Sequence, residues 1–420
     1  MIIILKKNRA QFILNTLVLL LFTFSVYAKN DSYSLQTGTY SVLNKVHMNI
    51  DEGKNDEALE KLKKIIESGN IKDYDAAVIY QTIGFVQNNL GDFKASAENY
   101  VKALSYEVLP EDVTHNLYYT ATQLLIYSEK YQEGLEYILK WFAGEKEPKP
   151  EAYILAATAY YYLENYQEVI VYASKALPLI KTPPLNWYEL LLSSYYETED
   201  LNNAVIILEN IIIKYPTKKN YWIQLSGIYQ RLGNDKRALA IYELAYLKDY
   251  LKKEQIIQLC KNYLYFEMPY KAATVLEKEM AIGKIDTSLK MLNMLVDGWI
   301  LAQENEKAES VFNEIINLYN DEKSRLRLGQ LYIENEEWNK AVDVLNIELE
   351  TEDIILISKI NLLLGIAQFN IENLPEAKQS FTQALSDKTT KEQAEWWLDH
   401  IKRKIETNKS GQHFSRNIIK

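Results

Sequence analysis

Residues 221–246 read YWIQLSGIYQRLGNDKRALAIYELAY, and this stretch decides the fold. Trp222, Leu225, Ser226 and Tyr229 recur at intervals of three, four and seven residues, which is one face of an α-helix. The pattern breaks at Leu232-Gly233-Asn234, because glycine is the least strained residue where a chain leaves a helix with positive φ. Ala238, Ile241, Tyr242 and Ala245 then form a second stripe, with small residues where two helices must approach closely. The stretch predicts two short antiparallel helices, a hairpin in which bulky residues of one helix pack over alanines of the other.

The hairpin recurs. Residues 80–104 carry Ile83-Gly84, Gly91-Asp92-Phe93, Tyr100 and Ala103; residues 361–384 carry Leu364-Gly365, Ala377, Phe381 and Ala384. Further copies span 118–141, 153–176, 188–212, 257–280, 292–315 and 325–345, and a weaker one at 42–62 fits an N-terminal cap. Equivalent small residues lie 33 to 38 apart. The pattern resembles the tetratricopeptide repeat, a Trp or large residue followed by Leu-Gly, Tyr, Ala, Phe/Tyr and Ala over about 34 residues. That resemblance implies an all-α chain, a TPR-type α-solenoid built as a right-handed superhelix of antiparallel helix pairs. About ten repeats would fill residues 29–390, since one hairpin cannot bury both faces and stacking buries a continuous core. A capping helix is expected over 391–407, with Ala394, Trp397, Leu398 and Ile401 on one face. The polar, basic stretch 408–420 reads as a disordered tail.

Composition agrees. With 420 residues, 48% hydrophobic and 25% charged, the chain can bury a large core. Its 14 Gly and 9 Pro are too few for an all-β chain with a turn every ten residues or so. At the N-terminus, Lys6, Lys7 and Arg9 precede an apolar run over 12–24 and then Ser25-Val26-Tyr27-Ala28. This is the layout of a signal peptide, 1–28, cut after Ala28. A retained anchor is the alternative, although the apolar run is shorter than the roughly 20 residues of a spanning helix. Removal of three cations would leave 44 Lys+Arg against 57 Asp+Glu, which disfavours nucleic acid and anionic membrane as partners. The single cysteine, Cys260, cannot form an internal disulfide and reads as a buried core thiol.

No catalytic constellation is present in the sequence. His47, His115, His400 and His413 are scattered without ligand spacing, and Gly53-Lys54 lacks the rest of a phosphate loop. Neither enzyme activity nor a cofactor or metal is expected. What remains is a surface. In tetratricopeptide arrays the first helix of each pair lines a concave face, which here would hold Tyr161, Asn186, Tyr196, Asn220, Gln230, Arg231, Gln258, Asn262 and Tyr265. Tyrosine offers apolar area with a hydrogen-bonding tip, and Asn and Gln can pair with an extended peptide backbone. A clamp for a terminal carboxylate is not supported, because Arg231 and Lys290 are the only comparable cations read on that face.

One segment carries a closer resemblance. Trp187, Leu191-Leu192 and Tyr195-Tyr196, the stretch 221–246, Leu259-Cys260-Lys261-Asn262-Tyr263-Leu264, Pro269-Tyr270-Lys271-Ala272-Ala273 and Gly283-Lys284-Ile285 are similar to the tetratricopeptide proteins encoded beside TonB–ExbB–ExbD systems of gammaproteobacteria. The resemblance implies a periplasmic protein assisting the complex that energises iron–siderophore uptake, with TonB, ExbB or ExbD periplasmic segments as partners. It assigns no binding residues. The alternatives are a general envelope-assembly or secretion adaptor and, with only scattered carboxylates behind it, a cryptic enzyme.

Overall fold

The structure is a computed structural model that describes residues 33–348 and 350–418, the stretch 407–418 by backbone alone. The expected leader, 1–28, lies outside the described residues. Among the described residues the chain forms 21 α-helices and no strand. The first twenty fall into ten consecutive pairs: α1 (Thr37–Asp51) and α2 (Asn55–Glu67); α3 (Asp73–Asn89) and α4 (Phe93–Leu104); α5 (Glu111–Tyr127) and α6 (Tyr131–Gly144). These are followed by α7 (Pro150–Tyr162) and α8 (Tyr166–Ala176); α9 (Leu185–Glu197) and α10 (Leu201–Lys214); α11 (Lys219–Arg231) and α12 (Asp235–Leu247). Next come α13 (Lys253–Tyr265) and α14 (Pro269–Ala281); α15 (Leu289–Leu301) and α16 (Asn305–Tyr319); α17 (Glu322–Glu334) and α18 (Trp338–Leu345); α19 (Ile354–Asn370) and α20 (Leu374–Ala384). A long α21 (Lys388–Ile418) closes the chain. Two compact units are formed, up to Ile241 and from Tyr242 onward, so the division falls inside α12.

One turn builds every hairpin. After α3, the Gly91 N–H donates to Asn88 O and the Asp92 N–H to Gln87 O, closing the two carbonyls that a Schellman motif closes. The Asp92 side chain then accepts from Ala95 N, so one residue ends the first helix and caps the second. The same backbone pair recurs in all ten hairpins, for example Glu199 to Tyr196 with Asp200 to Tyr195, and Glu372 to Phe369 with Asn373 to Gln368. The left-handed residue is Gly at 53, 91 and 233 alone; elsewhere it is Glu129, Glu164, Glu199, Glu267, Gln303, Glu336 or Glu372. The expectation that glycine marks the turn thus holds for three copies. In the others the two Schellman hydrogen bonds hold a longer side chain in a region that costs about 1–2 kcal/mol.

Seven residues before each turn stands the residue against which the second helix packs. At Gly84 an added Cβ would come within 2.8 Å of the Tyr100 ring, and at Gly365 within 2.7 Å of Phe381. Ser96 Oγ donates to Gly84 O at 2.7 Å, and Ser226 Oγ to Ala238 O at 2.8 Å, so the polar small residues are satisfied at the contact. Cys260 occupies the same register and is fully buried. In unit one Leu43, Val46, Leu62, Ile79, Ile83 and Tyr100 share a core, and Ile138, Trp141, Leu155 and Ala156 share the next. Each large buried side chain there contributes roughly 1.5–3 kcal/mol against exposure.

The C-terminal helix departs from its expected bounds. It starts at Lys388 rather than 391, and its backbone continues helically to Ile418 through the stretch read as a disordered tail. The physical reason is local: the stretch 385–418 contains no proline to end a helix. Ala394, Trp397, Leu398 and Ile401 do pack on Phe381, as expected of a cap. Trp397 stacks on Phe381 at 5.5 Å, while its neighbour Trp396 is exposed and stacks on His400 at 5.2 Å.

Candidate functional site

The nine residues expected on the first-helix face divide between the two units. In unit one, Tyr161 on α7, Asn186 and Tyr196 on α9, and Asn220, Gln230 and Arg231 on α11 occupy three successive first helices. Neighbouring first helices are joined by side chains one repeat apart. The Tyr161 hydroxyl meets Ser193 Oγ at 3.4 Å, and the Tyr221 hydroxyl donates to Glu189. Burial raises the affinity of Tyr196 for its proton, and the Arg231 guanidinium opposes that shift. Tyr161, Asn186 and Tyr196 are half-buried; Asn220, Gln230 and Arg231 are exposed. The sequence reading did not include Tyr221, whose hydrogen bond to Glu189 joins α11 to α9. Its signal was available, since residues about 32 apart sit on adjacent repeats.

The face continues upstream. Phe93 packs edge-on to Tyr127 at 4.8 Å, and Tyr131 stacks on Tyr162 at 4.3 Å, so the start of one second helix clasps the end of the next first helix. Tyr119 lies against Trp141 at 5.1 Å, and burial, helped by the Glu151 carboxylate, pushes its hydroxyl up to about 12. The helices α3, α5, α7 and α9 contain no Lys or Arg, whereas α4, α6, α8 and α10 carry Lys94, Lys102, Lys140, Lys175 and Lys214. The first-helix face of unit one is thus tyrosine-rich, amide-rich and, over four helices, without a cation.

In unit two the three expected residues share α13, at positions i, i+4 and i+7 of one helical face. Gln258 Nε2 donates to Asn262 Oδ1 at 2.9 Å, so each occupies part of the other's hydrogen-bonding capacity. Tyr265 is 77% exposed and touches Phe266 edge-on. Cys260 beside them is inert by burial, which pushes its thiol up to about 12, with the Glu279 carboxylate adding to the shift. Glu279 is itself buried and accepts a 2.8 Å hydrogen bond from the Tyr246 hydroxyl. Among the described residues no group of three or more His, Cys, Asp or Glu could hold a metal ion, and no helix is long and apolar enough to cross a membrane.

Hairpin, turn and small-residue register together define an all-α protein of tetratricopeptide type. No protein-family model matches this chain, and no curated protein matches it. Among solved structures it is similar to a tetratricopeptide repeat protein from Parabacteroides merdae ATCC 43184, at 16% identity and TM-score 0.35 over 62% of this chain and 98% of that one. It is also similar to YrrB, described as a TPR protein with an unusual peptide-binding site, at 18% identity and TM-score 0.35 over 44% of this chain and 90% of that one. A third likeness is to Naa15/Naa10 bound to HypK-THB, at 12% identity and TM-score 0.43 over 85% of this chain and 65% of that one.

Proposed function

We propose that this protein is a non-catalytic scaffold whose unit-one first-helix face captures an extended polypeptide segment. The observation that carries the reading is the face itself. Tyr161, Tyr196, Asn186, Asn220, Gln230 and Arg231 line three consecutive helices in half-buried and exposed positions, joined by Tyr161–Ser193 and Tyr221–Glu189. Rigid aromatic and amide side chains on helices present donors and acceptors to a peptide backbone at little entropic cost.

The finer reading is a periplasmic accessory of a TonB–ExbB–ExbD energy-transduction system in iron–siderophore uptake, with a periplasmic segment of one of those proteins as ligand. Its support is the leader-like N-terminus and the phrases of residues 187–285. A general envelope-assembly adaptor is the competing reading. Crosslinking in intact cells with native expression separates them. TonB, ExbB or ExbD should be recovered with the wild-type protein and lost with Asn220→Ala/Gln230→Ala/Arg231→Ala. Recovery of none of the three from wild type would reject the TonB reading.

A further inference from the structure

Unit two differs from unit one in where its cations stand. Lys290 on α15, Lys323 on α17 and Lys359 on α19 each lie thirteen residues before the left-handed turn residue of their hairpin, Gln303, Glu336 and Glu372. They therefore occupy one register on three consecutive first helices. All three are exposed, and among the described residues none forms an ion pair. Several other cations of the unit are paired internally: Lys271 with Glu243 at 2.9 Å, Lys284 with Asp249 at 2.7 Å, Lys340 with Glu337 at 2.7 Å, and Arg327 with Asp297. Even the carboxylate next to Lys323 is committed elsewhere, because Glu322 Oε1 accepts from the backbone N–H groups of Glu350 and Thr351. Lys323 and Lys359 thus join Arg231 and Lys290, the two cations read from the sequence on the first-helix side.

We propose that the first-helix face of unit two docks an acidic, extended polypeptide segment along the Lys290–Lys323–Lys359 row. The inference deepens the scaffold reading and rests on it. The three helices are neighbours. Arg327 on α17 reaches Asn293 and Asp297 on α15, and Leu326 and Ile333 on α17 pack with Leu356, Ile360 and Leu364 on α19. Packed helices lie about 8–10 Å apart, and an extended chain advances about 3.3 Å per residue. A carboxylate at every third residue keeps step with one lysine per hairpin. A short polypeptide fits better than a nucleic acid or a bilayer, because the chain's net charge of −10 opposes a large polyanion more than a segment that touches this row alone.

The test uses the full chain and a fluorescent twelve-residue peptide of Glu-Gly-Ser repeats, read by anisotropy at low ionic strength. A Gln-Gly-Ser peptide is the neutral control, and phosphatidylglycerol vesicles and single-stranded DNA are tested in parallel. Wild type should bind the acidic peptide at least about tenfold more tightly than the neutral one, the scale of three surface ion pairs. Lys290→Glu/Lys323→Glu/Lys359→Glu should lose that preference, as should the milder Lys→Gln triple variant, with circular dichroism reporting the fold. Lys94→Gln/Lys102→Gln, on the second helix α4 of unit one, should leave it unchanged. Equal binding of both peptides, or an undiminished preference in the triple variants, overturns the proposal. So does selective, lysine-dependent binding of vesicles or DNA without the peptide. If the peptide fails while the in-cell capture lost in Asn220→Ala/Gln230→Ala/Arg231→Ala persists in wild type, the scaffold reading stands and this row is not its second site.

Discussion

The Tyr100 ring covers Gly84 so closely that a methyl group on Gly84 would meet Tyr100 Cδ1 at 2.8 Å. Both residues sit in the core of unit one, and the backbone oxygen of Gly84 also accepts from Ser96, so neither helix is free to retreat. Gly84→Ala should destabilise the protein by about 1–3 kcal/mol. Gly227, on the same kind of helix, has nothing within 4 Å of its notional Cβ, and Gly227→Ala should stabilise by about 0.5–1 kcal/mol. Urea unfolding of the two variants checks the opposite signs.

The turn residues give a second pair of opposite signs. Glu199 holds φ at 54° in its Schellman turn, where a Cβ is strained, so Glu199→Gly should be neutral to about 1 kcal/mol stabilising. Gly91, at φ 77°, should lose roughly 1 kcal/mol on conversion to Ala. Thermal melts of these variants should rank Glu199→Gly at or above wild type and Gly91→Ala below it; the reverse order would refute the strain argument.

Alkaline pH should weaken unit two. Burial raises the Cys260 thiol from 9.0 to about 12, so the unfolded chain gives up this proton at a lower pH than the folded one. The stability tied to the neutral thiol is fully present below pH 9 and is lost as pH climbs toward 12. Tyr246 and Tyr263, both raised chiefly by burial, act with the same sign above their ordinary value of 10.0. Urea midpoints should fall between pH 8 and pH 10.5, and less steeply in Cys260→Ala. At pH 8 a thiol reagent should label Cys260 only after denaturant is added.

The Tyr221–Glu189 hydrogen bond joins two first helices at the candidate face. Tyr221→Phe keeps the ring and removes the donor, and should cost about 0.5–1.5 kcal/mol of stability. Because the Tyr161, Tyr196 and Arg231 side chains stay in place, peptide capture should fall less than in Tyr196→Ala. Parallel melts and pull-downs of the two variants distinguish a bracing role from a contacting one.

Much of this was legible in the residues. Trp222, Leu225, Tyr229, Ala238 and Ala245 announce a hairpin because helical side chains three and four apart share a face, and glycines such as Gly84 mark where a second helix must come close. The glutamates at the turns were not legible. Nothing local distinguishes Glu164 or Glu336 from a solvated glutamate until the two backbone hydrogen bonds of the Schellman turn are formed. The end of α21 differs from the expected bound for the converse reason, since polar composition alone does not stop a helix and no proline follows Lys388.

By itself the sequence determined the all-helical class, the ten hairpins and the small-residue register, all of which follow from periodicities within one repeat. Only the tertiary structure decided which side chains of successive repeats meet. Tyr161 finding Ser193, Tyr221 finding Glu189, and Lys290, Lys323 and Lys359 finding no carboxylate among the described residues depend on the offset between stacked hairpins. That offset is set by the packing of many core side chains together, and no local pattern encodes it.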